Sequence, residues 1–343
     1  MAWMLYGATG YTGGLIAREA ARRRLAPVLA GRDAGAVGAL AAELRLPHRA
    51  FPLAAPDLAG IRLVLHCAGP FSVTGAPMMD ACLAAGAHYL DITGEIDVFE
   101  QAWARDARAK AAGIVLCPGV GFDVIPTDCV AARLKAALPG AVRLALGFDT
   151  RSGLSPGTAK TSVEGLALGG RVRQGGRIVR VPQAWKVRRI DFGDGEKAAM
   201  TIGWGDVSTA FHTTGIPNIE VYVAASAGLI RAARLGGRFA RLLGAAPVQA
   251  LLKRQAGRVA GPDLATRARQ PSFVWGEAQD AAGQRRTARL RTANGYDVTV
   301  AGALAVVRHL LGRTGEGGAF TPSTLVGADL AERLPGSGPM VLG

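Results

Sequence analysis

An α/β fold, a Rossmann-like doubly wound parallel sheet followed by an α+β substrate and dimerisation domain, is predicted by three features of this chain. The first is a glycine turn at Gly7, Gly10 and Gly13, between the apolar run Trp3–Tyr6 and the helix-prone stretch Leu15–Ala21. The second is a regular alternation of short apolar strands with helical segments as far as Cys117. The third is a change of character after Pro139, where alternating strands take over. The domains are placed at residues 1–135 and 136–343, with about 313–343 packing back on the first domain.

The glycine turn is justified by what a strand–turn–helix unit must do to hold a dinucleotide. The turn is tight, and its backbone must approach a pyrophosphate without a Cβ in the way. The unpaired N–H groups of the first helical turn then point at the anion, and the helix dipole adds favourable potential. The spacing is G-x-x-G-x-x-G rather than G-x-G-x-x-G.

Pro27–Gly31 reads as the second strand and ends in Arg32, nineteen residues after Gly13. An acidic residue there would suit a ribose 2′-hydroxyl, whereas a guanidinium forks onto a 2′-phosphate and stays charged at any working pH. NADP(H) is therefore expected over NAD(H). Asp33 serves either the ribose or the N-cap of the next helix.

The remaining elements follow in order. A helix covers 34–46, and His48–Leu53 makes a third strand. Ile61–Cys67 is a fourth, apolar as a central parallel strand should be. Helix 76–85, strand Ala87–Ile92, one helix over 97–112 and strand Gly113–Cys117 complete the first domain. Ligands in such sheets bind beyond the carboxyl ends of the strands, so the loops after strands one, two, four, five and six should converge. Beyond Pro139, strands are read at 142–148, 177–190, 198–204, 219–224, 272–279 and 285–293. Helices are read at 157–168, across 226–258 and at 297–311.

Composition excludes several function classes. With 343 residues, 49% hydrophobic and 19% charged, the chain is globular. It contains no run approaching a membrane span and no basic, apolar leader pattern. Cys67, Cys82, Cys117 and Cys129 form no C-x-x-C pair and no metal-ligand spacing with histidine, so reduced buried thiols in a cytoplasmic protein are expected and no metal is. The net charge of +14 is mostly arginine, without a basic tail or an aromatic-interleaved motif, so no nucleic acid is expected. Residues 228–258 stand out: Arg231, Arg234, Arg238, Arg241, Lys253, Arg254 and Arg258 are interleaved with leucines and Phe239, with no acidic residue. This reads as a helix with one buried face, the alternatives being weak contact with an anionic membrane surface or the reception of an acyl chain.

The strand-end motifs carry a family resemblance. GATGYTG at Gly7–Gly13, AGR at Ala30–Arg32, CAGPF at Cys67–Phe71, HYLDITGE at His88–Glu95 and PGVGFDVIPTD at Pro118–Asp128 resemble the saccharopine dehydrogenase-like oxidoreductases. Within them the trans-acting enoyl reductases are closest in these motifs. GGAFTPSTLVG at Gly317–Gly327 is similar to the C-terminal segment of that family. The resemblance implies an NADP-binding Rossmann domain and a second domain for substrate and homodimer contact. Gly7, Gly10, Thr12 and Gly13 would hold the pyrophosphate, with Thr9 and Tyr11 in the same turn, and Arg32 would hold the 2′-phosphate. Cys67, Ala68, Gly69, Pro70 and Phe71 would line the path toward the nicotinamide. The implied activity is NADPH-dependent reduction of an enoyl or acyl substrate. The alternatives are a saccharopine-type amino-acid or imine oxidoreductase and a non-catalytic NADP(H)-binding sensor or scaffold at a lipid surface.

Hydride transfer asks the protein for orientation, a dry cleft and a group that manages the paired proton. Asp123 and Lys160 are the candidate catalytic residues, with Thr127 beside them. Asp123 has an alternative role as helix N-cap, and Lys160 as an exposed helical lysine. Glu95 is read as structural, and so are His66 and His88, while His212 stays open as a proton shuttle. A short-chain dehydrogenase would need Tyr-x-x-x-Lys, which none of the five tyrosines provides. An acyl-enzyme dehydrogenase would need a cysteine at a helix N-terminus, and Cys117 and Cys129 are poorly placed for that. Replacing Arg32 with Ala should weaken NADPH binding by about 1.5–3 kcal/mol, the scale of a charged hydrogen-bonding partner, and leave NADH almost unchanged. Calorimetric titration with both cofactors reads this directly, and equal losses would remove the 2′-phosphate assignment.

Overall fold

Two sheets share one buried helix. The computed structural model describes residues 2–151, 153, 155–239, 243–313 and 315–343. The first part of the chain runs β1 (Ala2–Tyr6), α1 (Tyr11–Arg22), β2 (Val28–Gly31), α2 (Ala34–Leu44), β3 (His48–Ala50), β4 (Ile61–His66), α3 (Phe71–Ala85), β5 (His88–Asp91), α4 (Ile96–Trp103), α5 (Asp106–Ala111), β6 (Val115–Cys117) and α6 (Ile125–Ala137). The second runs β7 (Ala141–Asp149), α7 (Pro156–Leu168), β8 (Gly170–Gln174), β9 (Arg177–Val181), β10 (Val187–Asp191), β11 (Glu196–Ile202), α8 (Asp206–Thr214), β12 (Asn218–Ala224), α9 (Ala227–Arg238), α10 (Ala246–Ala256), α11 (Leu264–Arg269), β13 (Ser272–Asp280) and β14 (Arg285–Thr292). The chain ends with α12 (Gly295–Leu311), β15 (Gly318–Ala319), α13 (Pro322–Val326) and β16 (Val341–Leu342).

The first sheet is parallel throughout, in the order β3-β2-β1-β4-β5-β6-β15. Leu5 lies opposite Leu29 on one side and Leu65 on the other, and all three are fully buried. Central strands covered on both faces need such continuous apolar runs. The order reverses between β1 and β4, which opens a crevice above their carboxyl ends. The seventh strand, β15, comes from the end of the chain and pairs with β6, while α12 packs against α1 and β4.

The second sheet has the order β10-β11-β12-β7-β13-β14-β16, with β8 pairing β12 and β9 pairing β8. Its pairs are antiparallel except β7 with β12, which are parallel because α7, the strands β8–β11 and α8 intervene between them. Leu144, Leu146 and Phe148 of β7, with Val274 and Ala278 of β13, turn to α6 and join the main core.

Several expected elements differ in extent. The strand expected over 177–190 is two strands, β9 and β10, separated by a turn in which Ala184 has φ 49°. The helix expected over 97–112 is broken into α4 and α5. At the break Arg105 reaches Asp80 at 2.7 Å, and Asp106 accepts the Ala319 N–H at 2.8 Å, so tertiary partners outweigh helical continuity. The third strand stops at Ala50, and Pro52 beyond it has no N–H to offer a ladder. The helix expected across 226–258 is at least two, α9 and α10. Arg241 and Leu242 lie outside the described residues, as does the side chain of Arg238. The helix α8 had no counterpart in the sequence reading.

The contact of α6 with the sheet is close enough to depend on one missing methyl group. A Cβ on Gly276 of β13 would lie 2.5 Å from Val130 Cγ1 and 2.7 Å from Leu134 Cδ1, both on α6. Gly276→Ala should therefore destabilise the fold by about 1–3 kcal/mol, as overpacking does. Denaturant unfolding would show a lower midpoint at unchanged slope.

Candidate functional site

A cleft of about 1110 Å³ runs from the glycine turn, across the carboxyl ends of the first sheet, to α7, α9 and β11 of the second. Gly7, Thr9, Gly10, Tyr11 and Thr12 line one end, with Arg32 at its margin. Cys67, Ala68, Gly69, Pro70 and Phe71 line the middle, and Asp123 and Lys160 line the end formed with the second domain. Gly13 alone among these candidates does not reach the surface of the cleft.

Gly13 nonetheless decides whether the turn can form. A Cβ there would sit 2.2 Å from the Gly7 carbonyl oxygen. Gly7 itself has φ 86°, and a Cβ on it would meet the Ala68 nitrogen at 2.7 Å. The two glycines let β1, α1 and the loop after β4 close on one another.

The N-termini of α1 and α3 both face the cleft, and they differ in what fills them. At α3 the Glu95 carboxylate accepts the N–H groups of Phe71 at 3.0 Å and Ser72 at 2.6 Å, so a carboxylate from the loop after β5 already holds that positive end. At α1 the N-cap is Gly10, with no side-chain cap and no acidic residue in the first turn. Its N–H groups are open to an anion, as a pyrophosphate site requires. Arg32 is exposed at the end of β2 and makes no hydrogen bond or ion pair among the described residues. Asp33 beside it caps α2 by accepting the Ala36 N–H at 3.0 Å, which settles its role as the N-cap. The residues present thus fit a dinucleotide with a 2′-phosphate.

The second domain pins the glycine turn from outside. The Tyr11 hydroxyl donates to the Pro262 carbonyl at 2.5 Å, and Arg267 reaches the same hydroxyl at 3.2 Å. The Tyr296 ring meets Tyr11 edge to face at 5.1 Å. Tyr11 therefore offers the cleft part of its ring, while its hydroxyl serves the domain contact.

Asp123 lies in the loop between β6 and α6. Val124, not Asp123, occupies the N-cap position, so the capping alternative fails. Trp204 Nε1 donates to the Asp123 backbone carbonyl at 2.9 Å and fixes the loop against the second domain. No hydrogen bond to the Asp123 carboxyl occurs among the described residues, and burial pushes it up to about 7. Thr127 is turned away from the cleft: its hydroxyl donates to the Val124 carbonyl at 3.0 Å and to the buried Asp206 at 2.7 Å. Lys160 is half-buried on α7, its stem beside Gly257.

The histidines fill structural places. His66 is fully buried, bonded through Nε2 to Thr74 at 3.0 Å, and burial lowers it to about 3. His88 Nδ1 accepts the Val115 N–H at 2.9 Å, and His212 stacks on Trp103 with ring centres 3.9 Å apart. All four cysteines are free thiols, and burial raises each of them, which removes the thiolate an acyl-enzyme route would need.

The wall opposite the first domain was missed by the sequence reading. Trp204, Ile202 and Met200 follow from β11, and Leu229, Ala233 and Gly236 come from α9. The available signal was Gly203-Trp204-Gly205. A Cβ on Gly205 would strike the Phe99 ring at 2.6 Å, so this segment lies hard against α4 and turns its tryptophan into the cleft.

Comparison with known proteins agrees with this geometry. Residues 3–117 match the saccharopine dehydrogenase NADP binding domain family. A bovine saccharopine dehydrogenase-like oxidoreductase is 28% identical over 48% of this chain and 45% of its own length. A putative trans-acting enoyl reductase of Mycobacterium tuberculosis is 32% identical over 36% of this chain and 33% of its own. The match thus spans less than half of either relative. Yeast saccharopine dehydrogenase (L-Glu forming) has the same fold, with a TM-score of 0.67 at 9% identity over 100% of this chain and 99% of that one. An amine dehydrogenase of Mycobacterium smegmatis aligns at a TM-score of 0.51 and 12% identity.

The raised Asp123 carboxyl gives a pH signature. The folded chain keeps this proton to about pH 7, whereas an unfolded chain loses it near 3.8. Between those values the folded state binds more protons, so the stabilising contribution is complete below 3.8 and is lost as pH rises through 7. The stability difference between Asp123→Asn and the parent should grow in favour of the variant across that window. Urea melts of both at pH 4, 6 and 8 measure it, and a difference independent of pH would remove the assignment.

Over residues 3–117, then, this chain is similar to the saccharopine dehydrogenase NADP binding domain family.

Proposed function

We propose that the chain is an NADPH-dependent oxidoreductase that reduces an acyl-type, enoyl thioester acceptor, with Asp123 as the proton donor. The observation that carries this reading is the continuity of the cleft, in which an open helix N-terminus, a carboxyl poised near neutrality and an apolar far wall line one space.

The bound cofactor supplies a hydride. The chain's own residues orient the partners, exclude water and move the proton. In an enoyl acceptor the hydride adds to the β-carbon, the carbon–carbon double bond becomes single, and the α-carbon takes a proton. The Asp123 carboxyl, held protonated to about pH 7 by its burial, is suited to give that proton and to regain one from water afterwards. Trp204 positions it through the loop carbonyl. Ile202, Met200, Leu229 and Ala233 offer an acyl chain an apolar wall, and burying each methylene on such a wall contributes about 0.8 kcal/mol. Lys160 stands at the same end as a donor for the thioester carbonyl, where negative charge develops.

The test is NADPH consumption by the purified chain with enoyl thioesters of increasing length and, in parallel, with keto-acid and amine pairs that form imines. Turnover that improves with acyl length is expected, with Asp123→Asn lowering it on the order of 10²–10⁴-fold while NADPH affinity holds. Turnover of imines alone would replace the acceptor by an amino-acid type. NADPH binding without consumption in either series would leave a non-catalytic binding protein.

A further inference from the structure

The basic segment singled out in the sequence buries one face of α10 against α7 but leaves much of its apolar surface exposed. Of ten large apolar side chains left exposed among the described residues, six lie between positions 229 and 264: Leu229, Leu235, Phe239, Leu251, Val259 and Leu264. On α9 the buried large apolar side chain is Ile230. Leu235 and Phe239, one helical turn apart, are 55% and 60% exposed. Their row adjoins the row of Leu229, Ala232, Ala233 and Gly236, which lines the cleft.

Charge accompanies this apolar stripe. From Ser226 to Pro262 the chain contains no acidic residue, and Arg231, Arg254 and Arg258 are exposed. The segment also spans the cleft. At its start α9 forms part of the apolar wall, while Gly261 and Pro262 near its end rest on Tyr11 of the glycine turn.

We propose that the arm formed by α9, α10 and α11 docks on an anionic lipid surface, with Leu235 and Phe239 entering the interface and Arg231, Arg254 and Arg258 lying at headgroup level. Exposed large apolar groups flanked by cations match such a surface in both respects: apolar area is withdrawn from water, and the cations meet lipid phosphates. Docking in this sense turns the α9 side of the cleft toward the bilayer. The proposal concerns the surface alone and holds whichever acceptor the cleft takes.

The experiment is co-sedimentation of the full chain with phosphatidylcholine vesicles, with and without phosphatidylglycerol. Retention on the anionic vesicles at least five-fold above the neutral ones, falling as salt is raised, is expected. Leu235→Glu/Phe239→Glu should abolish retention, and Arg231→Glu/Arg254→Glu should bring it down to the neutral-vesicle level. NADPH titration and the thermal melt of each variant, unchanged from the parent, show that the fold persists. The parent's comparison of the two vesicle types stands by itself should a variant fail to fold. Equal or absent retention on the two types would overturn the proposal. A concentration-dependent doubling of mass that the same substitutions remove would overturn it too, by assigning the stripe to a second copy of the chain.

Discussion

The geometry of this molecule depends on the burial of α6. Ile125, Cys129, Val130, Ala131 and Leu134 are all inaccessible to solvent, and the helix has an apolar contact on nearly every side. It leaves the last strand of the first sheet's own run and enters the floor of the second sheet, where it touches β7, β13 and β14. A helix buried over most of its length cannot slide without exposing apolar area or opening a void, and either costs several kcal/mol. Its one buried charge-bearing side chain, Asp128, is held by the Thr213 hydroxyl at 2.5 Å and the Ser323 N–H at 2.7 Å, from α8 and α13. The two sheets are therefore fixed relative to each other, and the cleft between them inherits that fixed shape.

Within that frame, the division of labour between two helix ends decides where an anion goes. Both α1 and α3 present N-termini to the crevice at the β1–β4 reversal, and each carries about half a positive charge. Glu95 already satisfies α3 through two N–H groups, so a phosphate placed there would meet a carboxylate. Repulsion at that end and open N–H groups at α1 act together. A pyrophosphate would therefore be favoured at the glycine turn over the end of α3.

The strand-end loops of the first domain were legible because their chemistry is local. Gly7 and Gly13 are required by a turn seven residues long, and Arg32 terminates a strand whose apolar run is plain. The far wall of the cleft was not legible, because its residues are ordinary ones made special by long-range packing. Trp204 faces the cleft since Phe99, more than a hundred positions earlier, leaves room only for glycine at 205. Helix α8 escaped notice for the same reason: Asp206, Ser208 and Thr209 look like loop residues, yet all three are buried by contacts from α4 and α6. The exposure of Leu235 and Phe239 is a further case, since helical spacing shows that an apolar face exists and not whether anything covers it.

A chain with a net charge of +14 would be expected to hold its carboxylates ionised, and at three buried aspartates it does the opposite. Asp123, Asp128 and Asp206 are all raised, with burial as the first cause in each. The magnitudes explain why. A surface arginine about 10 Å away across water contributes roughly 0.4 kcal/mol, further screened by salt, whereas each pKa unit of desolvation is worth about 1.4 kcal/mol. Coulombic repulsion from Asp123 and Asp128 raises Asp206 further, and its partner is a neutral threonine hydroxyl rather than a cation. Local burial thus overrides global charge, and the acid that opens on the cleft stands in neighbours that keep its proton on. Under the function proposed above, that carboxyl beside an apolar wall is the group that would deliver the proton to a neutral, carbon-rich acceptor.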